Sequence, residues 1–361
     1  MKITIDISQS IYGTGVADYT FGLVKSLRDL YPLNDYKLFA GSLRRQQEFH
    51  ALWDKALVYP LPPALLHFLW NKIHVLNIEY LVGNTDVYHS SDWAQAPSKA
   101  KKVSTIHDLS PLLFPQEMKG STLRNIAAVH SARLKRVKEE CDKIICVSNS
   151  TAKDAEELLN IEKSRINVVY EAMPLRFAYR PSKQDTTVMK KKFAVEDYIL
   201  ANGTISPRKN IKRLIESFLT YRKKLSLPEK LIIVGRFGWG ELNIPSDNSI
   251  ILTGYLKDHE FLSLMAGAKV FAYPSVYEGF GLPILTAFYQ RTPVLTSNVS
   301  SMPEIAGKAA VLVDPTSEAE IAHGLAKAIA DSDSLVKAGS FQLSKFSWEK
   351  TARETFEVYK S

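Results

Sequence analysis

Tyr273-Pro274-Ser275-Val276-Tyr277-Glu278-Gly279-Phe280-Gly281-Leu282-Pro283 marks a point where a strand turns into a helix. The run Val270–Tyr273 is apolar throughout, as a strand buried on both faces is. Gly279 and Gly281 permit a sharp turn, and Pro283 suits the first turn of a helix, where its missing N–H leaves nothing unpaired. The amides of Phe280, Gly281 and Leu282 then lie at a helix N-terminus and are directed at an anion. Glu278 projects into the same place, which suits a partner carrying hydroxyls or a cation. A sugar ring has such hydroxyls.

The same unit recurs along the chain. Strands are expected at Ile3–Ile7, Tyr36–Ala40, Val87–His89, Val103–Ile106, Ile144–Val147 and Ile166–Tyr170. In the second half they are expected at Tyr198–Ala201, Leu231–Val234, Ile250–Thr253, Val270–Tyr273, Val294–Ser297 and Ala310–Val313. Amphipathic helix patterns lie between them, among them Val16–Leu30, Leu123–Glu140, Ile211–Lys224 and Ala319–Ala330. Strict alternation predicts an α/β fold with parallel sheets covered on both faces. The stretch Ala172–Ala194, with Pro174, Pro181 and Lys190-Lys191-Lys192, has no clear period and reads as a linker and a short polar helix. The domains are then 1–177 and 178–345, each a doubly wound, Rossmann-like sheet, facing each other across a central cleft. A last helix pattern, Trp348–Tyr359 within 346–361, has no sheet partner left. In such sheets ligands bind beyond the carboxyl ends of the strands.

Those ends carry three further groups of polar residues. The first strand leads through Gly13-Thr14-Gly15 into a helix, where glycines let backbone amides approach an anion. A tight turn alone accounts for these glycines equally well. His107-Asp108 ends the strand before it, and His107 suits either a bond to a sugar hydroxyl or phosphate or a loop cap beside Asp108. Gly203-Thr204-Ile205-Ser206-Pro207-Arg208-Lys209-Asn210 joins the strand at Tyr198–Ala201 to its helix. Arg208 and Lys209 oppose the helix dipole there, a conflict that a bound anion resolves. A diphosphate is such an anion.

The chain has 361 residues, 45% of them apolar and 23% charged, with a net charge of +8. That suits two packed domains and either a phosphate-bearing partner, an anionic surface or simple solubility. The opening MKITIDIS alternates Ile3, Ile5 and Ile7 as a strand does and does not read as a signal peptide. No run approaches the roughly 20 apolar residues of a membrane span. Cys141 and Cys146 read as packing residues. No metal site is expected, since Asp331-Ser332-Asp333 falls at the end of a late helix where capping suits it better.

In combination these motifs resemble glycosyltransferase family 4, retaining group 1 enzymes of the GT-B architecture. The resemblance runs over nearly the whole chain, including Thr105-Ile106-His107-Asp108, Val147-Ser148-Asn149-Ser150, Val234-Gly235-Arg236, Gly254-Tyr255, Met302-Pro303-Glu304-Ile305-Ala306-Gly307 and Phe346-Ser347-Trp348. It implies that Glu278 touches donor-sugar hydroxyls, that Arg208 and Lys209 hold the diphosphate, and that His107 meets the donor sugar. Gly13, Gly15, Gly203, Thr204, Tyr255, Phe280, Gly281, Leu282 and Thr286 are the further residues it assigns to the nucleotide sugar. It implies no cofactor beyond that donor, a glycan or lipid-linked oligosaccharide acceptor, and a final helix that crosses back to the first domain. GDP-mannose is the leading donor and a UDP-hexose the alternative. Two positions depart from the family. Thr204 stands where many members have Arg. Thr286 stands where the second of two glutamates would hold the ribose, and one hydroxyl cannot accept as a carboxylate does.

Two other classes are compatible with parts of the sequence. A nicotinamide-dependent oxidoreductase would use Gly13-Thr14-Gly15, but Asp18 stands where its third glycine belongs, and Asp35 precedes the second strand instead of ending it. A nucleic-acid or membrane-surface protein would use the positive charge; nucleic acid is not expected as a partner. The stretch Pro60–Val82, with Leu65, Leu66, Phe68, Leu69, Trp70, Ile73 and Val75, reads either as a helix packed in the first domain or as a membrane-facing segment. The expected location is the cytoplasm, with a peripheral hold on the inner face of the plasma membrane.

Overall fold

The computed structural model describes residues 1–90, 92–115, 126–204, 206–225, 228–235 and 247–361. The chain forms two compact units, residues 1–174 with 347–361, and residues 175–346. The first holds a seven-stranded sheet of β1 (Lys2–Asp6), β2 (Asp35–Gly41), β3 (Leu57–Tyr59), β4 (Val87–Ser90), β5 (Lys101–Ile106), β6 (Lys143–Cys146) and β7 (Ile166–Val168). Their order is β3-β2-β1-β4-β5-β6-β7, and every pair is parallel. The second holds β8 (Tyr198–Asn202), β9 (Lys230–Val234), β10 (Ile250–Gly254), β11 (Val270–Tyr273), β12 (Val294–Ser297) and β13 (Ala310–Val313). Its order is β10-β9-β8-β11-β12-β13, again parallel throughout.

Each sheet is laid down from its middle. The chain builds outward from β1 to β3, then crosses to the other side of β1 at β4, and unit 2 repeats this at β8 and β11. The crossing leaves a crevice beyond the carboxyl ends of the two central strands. β8, central in its sheet, is buried on both faces and apolar over its first four residues: Tyr198, Ile199, Leu200 and Ala201 are all enclosed. The unit 2 core joins Ile199 and Ala201 to Leu214 and Phe218 of the helix Ile211–Leu225 and to Leu325 of the helix Glu318–Ala330.

All twelve expected strands form. β3 was not foreseen, because it is three half-buried residues at a sheet edge just before Pro60. The expected helix Leu123–Glu140 is described from Ile126, its first residues lying outside the described ones. Pro60–Val82 is partly core and partly surface. Leu66, Trp70, Ile78 and Val82 pack against Phe39 and Tyr88, whereas Leu65, Phe68, Ile73 and Val75 are exposed. Among the described residues no helix is long and apolar enough to cross a membrane.

The last helix, Trp348–Lys360, packs on unit 1. Ser347 caps it by accepting from the Lys350 amide. Phe356 stacks on Tyr31 at 3.8 Å between ring centroids, and Lys101 Nζ donates to the Val358 carbonyl at 2.9 Å. Trp348 lies directly over Gly22 of the helix Gly15–Leu30, where a Cβ would sit 2.3 Å from the indole. Alanine is the better helix former by about 1 kcal/mol, yet Gly22→Ala is expected to lower the melting temperature because the indole must move. In a Trp348→Ala background, which itself costs about 3–5 kcal/mol, the same change is expected to stabilise. Thermal unfolding of the four proteins checks this, and additive effects would contradict the packing described.

Candidate active site

Glu278 is reached from two sides. β11 ends at Tyr273, and the turn that follows carries the carboxylate toward the end of β8. From β8, Gly203 to Asn210 lead into the helix Ile211–Leu225, with Ile205 outside the described residues. Lys209 Nζ donates to Glu278 Oε1 at 2.6 Å, and Arg208 Nη1 to Glu278 Oε2 at 3.2 Å. Lys209 also donates to the Tyr273 hydroxyl at 2.7 Å, and Arg208 to the Tyr277 carbonyl at 3.0 Å. The three charged side chains are 10–15% exposed. Burial opposes ionisation of Glu278, but the charges of Lys209 and Arg208 outweigh it and hold its carboxyl down to about 2.

Arg208 and Lys209 stand before the helix as expected, and both pair with Glu278 of the same chain. The two loops are also sewn together through backbone. Val276 N donates to the Arg208 carbonyl at 2.8 Å. Asn210, at φ +59°, donates through Nδ2 to the carbonyls of Pro274 and Pro315 at 3.0 and 2.7 Å. Gly203 and Gly235 meet backbone to backbone, and a Cβ on Gly235 would lie 2.0 Å from the Gly203 oxygen. Arg236, the last residue of that motif, lies outside the described residues.

The glycine-rich turn is held by two serines that the sequence did not single out. Ser300 Oγ accepts from the Glu278 amide at 3.2 Å and donates to its carbonyl at 2.6 Å. Ser301 Oγ lies 2.9 Å from the carbonyls of both Glu278 and Phe280. Gly281, at φ +105°, precedes the helix Leu282–Tyr289, so Phe280, Gly281 and Leu282 form its opening turn. Thr286 sits one turn in. It is fully enclosed, and its hydroxyl donates to the Leu282 carbonyl at 3.2 Å. Thr204 lies in the loop after β8, and Tyr255, well exposed, follows the edge strand β10.

In unit 1, Gly13 (φ +65°) and Gly15 follow β1, with Thr14 capping the helix through the Ala17 amide. His107 follows β5. Asp108 caps the next turn, accepting from the Ser110 amide and hydroxyl, and His107 takes no part in it. His107 Nδ1 lies 2.9 Å from Oε1 of Glu171, a buried residue past the end of β7. Burial works against a charged imidazole, but the hydrogen bond and charge of Glu171 outweigh it and raise the His107 pKa. Tyr19 presses edge-on against the His107 ring at 4.6 Å. Tyr19 is bonded to Thr105, Thr105 to His89 and His89 to Tyr359 at 3.0, 2.8 and 2.7 Å. Burial pushes the His89 imidazole down to about 3, so it is neutral in this chain.

Residues 13–176 match the family described as Glycosyltransferase Family 4, and residues 184–341 match Glycosyl transferases group 1. The first span includes His107 and Glu171, the second Arg208, Lys209 and Glu278. The chain belongs to this glycosyltransferase family. It is 26% identical to O-antigen chain mannosyltransferase B of Escherichia coli over 96% of each chain. It is 31% identical to the serotype-specific mannosyltransferase WbdA of Escherichia coli over 78% of this chain, spanning 36% of that longer relative. Its fold is that of Anabaena HepE in complex with UDP and glucose, with a TM-score of 0.69 at 16% identity and full coverage of both chains. Two parallel sheets of seven and six strands are the GT-B architecture of such glycosyltransferases.

The candidate site in unit 2 depends on Asn210 for its shape. Asn210→Ala removes the side-chain donor to the carbonyls of Pro274 and Pro315 and puts alanine at a left-handed φ. It is expected to lower stability by about 2 kcal/mol in chemical denaturation. Asn210→Gly, which relieves only the backbone strain, is expected to recover part of that. A loss below about 0.5 kcal/mol in Asn210→Ala, the range of ordinary surface changes, would contradict the role given to this residue.

Proposed function

We propose that this glycosyltransferase moves a hexose, mannose from GDP-mannose first among the candidates, onto a saccharide or lipid-linked glycan in polysaccharide or lipopolysaccharide synthesis. The observation that carries the reading is the Glu278 carboxylate held between Arg208 and Lys209 at the crossing of β8 and β11. A donor diphosphate takes over the two cations, and the released carboxylate accepts from hydroxyls of the sugar. The mannosyltransferase relatives support mannose. The HepE complex, with its UDP and glucose, supports a UDP-hexose as the second reading.

The bond from the anomeric carbon to the diphosphate breaks as positive charge develops on the sugar. Arg208, Lys209 and the opening turn at Phe280–Leu282 stabilise the departing diphosphate, a role that needs no metal ion. The acceptor oxygen attacks on the face the diphosphate leaves, so the configuration is retained. Its proton passes to the leaving phosphate oxygen. In unit 1, His107 is proposed as a donor to a sugar hydroxyl or a phosphate oxygen. With the Thr286 hydroxyl committed to its own helix, nucleotide affinity rests on the diphosphate more than on the ribose. The exposed Leu65, Phe68, Ile73 and Val75 beside Lys72 are proposed to rest on the inner face of the plasma membrane, where a lipid-linked acceptor is carried.

Arg208→Ala and Lys209→Ala are each expected to slow transfer by on the order of 3 kcal/mol in the barrier, measured as label transferred from GDP-mannose and UDP-hexoses. Near-normal turnover in both would sink the site. Glu278→Ala is expected to abolish transfer while GDP or UDP still binds in calorimetry, since the carboxylate serves the sugar. Loss of nucleotide binding with the fold intact would mean that Glu278 serves the phosphates instead.

A further inference from the structure

We propose that Glu171 is a positioning residue for His107, fixing the imidazole through Nδ1 and leaving Nε2 as the nitrogen that serves the substrate. The inference rests on the transferase reading above. Nothing in the glycine-rich motifs points to Glu171, which lies between β7 and the end of unit 1 and meets His107 only in the folded chain.

Three observations carry it. First, the contact is short and enclosed: Nδ1 and Oε1 are 2.9 Å apart, with side-chain exposures of 13% for His107 and 4% for Glu171. Second, the ring is held from a second direction. Tyr19 packs edge-on against it, and the Tyr19 hydroxyl is anchored through Thr105 and His89 to Tyr359 of the last helix. With Nδ1 bonded and Tyr19 packed against it, the ring has little freedom to turn. Third, His107 lines a small cavity at the carboxyl ends of β1, β4 and β5, together with Asp6, Tyr19, His89, Asp92 and Thr105. Nδ1 is committed to Glu171, so Nε2 is the nitrogen available to a bound molecule.

The charge around the ring follows from named groups. Glu171 and Asp92 favour the imidazolium, and Arg133 opposes it. Arg133 is itself paired with Asp92 at 3.3 Å, and His89 is neutral. Burial pushes the Glu171 carboxyl up against the pull of His107, and the charges of Asp18 and Asp108 add to that push. While the imidazolium persists, Nε2–H is a donor for a sugar hydroxyl or a phosphate oxygen. When the ring loses a proton, the carboxylate keeps Nδ1–H, and Nε2 turns from donor to acceptor. Donation by Nε2 is therefore present below the raised His107 pKa and is lost as pH rises through it.

The test compares the pH profile of kcat, at saturating donor, for the wild type, Glu171→Gln and Glu171→Ala. It adds NMR titration of the histidine rings in ¹⁵N-histidine-labelled protein. The glutamine amide still accepts from Nδ1–H but carries no charge. Glu171→Gln is expected to move the alkaline limb and the His107 titration to lower pH, with transfer lost chiefly on the alkaline side. Glu171→Ala loses the hold as well and is expected to lower kcat by about 100-fold across the range, the order of loss for a 1 Å misplacement. An unchanged alkaline limb and an unchanged ring titration in Glu171→Gln would overturn the proposal, even if Glu171→Ala fails to fold. Absence of wild-type transfer from both GDP-mannose and UDP-hexoses would overturn the transferase reading instead, with the ring titration still reporting whether Glu171 holds His107.

Discussion

A carboxylate placed out of water between a lysine and an arginine ties together parts of the chain about 70 positions apart. Removing one member of such a group leaves a buried charge uncompensated, which costs several kcal/mol. Unit 2 is arranged so that this does not happen. The crossing from β10 back to β11 sets β11 beside β8. Asn210 and the Val276 amide fix the distance between the two loops. Gly203 and Gly235 let the neighbouring loop approach without a side chain between them. Ser300 and Ser301 hold the turn that presents Glu278. Each of these contacts serves the geometry of one ionic group.

Unit 1 uses the same topology for a different chemistry. Its crossing at β1 and β4 again opens a crevice at the strand ends, and His107 from the neighbouring β5 stands there with Glu171 behind it. The last helix belongs to this arrangement as much as to stability. Trp348 packs over Gly22 and donates to the Met173 carbonyl at 2.8 Å, two residues beyond Glu171, and Tyr359 ends the polar chain that reaches Tyr19. A helix without a sheet strand of its own thus reaches the histidine through side chains alone.

The alternation of strand and helix was legible because buried parallel strands must be apolar on both faces, so Tyr198–Ala201 and Val270–Tyr273 stand out from their surroundings. β3 was not legible, since three half-buried edge residues carry no such signal. At the site, Glu278, Arg208 and Lys209 could be singled out from turn chemistry and from the conflict of two cations with a helix dipole. That Glu278 pairs with both cations could not be read, because pairing across the sheet depends on strand order and not on spacing along the chain. Glu171, Ser300 and Ser301 escaped notice for the same reason: each is an ordinary residue locally and acquires a role only through its neighbour in space. Thr286 shows the reverse. Its departure from the family's glutamate is plain in the sequence, but only the structure shows that its hydroxyl is already committed to its own helix.

The ionic group also bears on how a donor would be received. Two cations and one anion leave a single positive charge at the crevice. On the reading proposed above, an incoming diphosphate would meet side chains already ordered and would exchange one carboxylate partner for phosphate oxygens without first gathering flexible arms from solvent. Ordering of long side chains typically costs about 0.5–1.5 kcal/mol each on binding, and here Glu278 has imposed that order during folding. Preorganised charge is also most effective where negative charge grows as a bond breaks, because nothing need reorient at that moment. That exchange would free the carboxylate as the cations are engaged, so that recognition of the diphosphate and release of an acceptor for sugar hydroxyls would be a single event. A ligand with phosphates but no sugar would leave that carboxylate buried and without its partners. The proposed exchange would thus favour the intact nucleotide sugar over the nucleotide that remains after transfer.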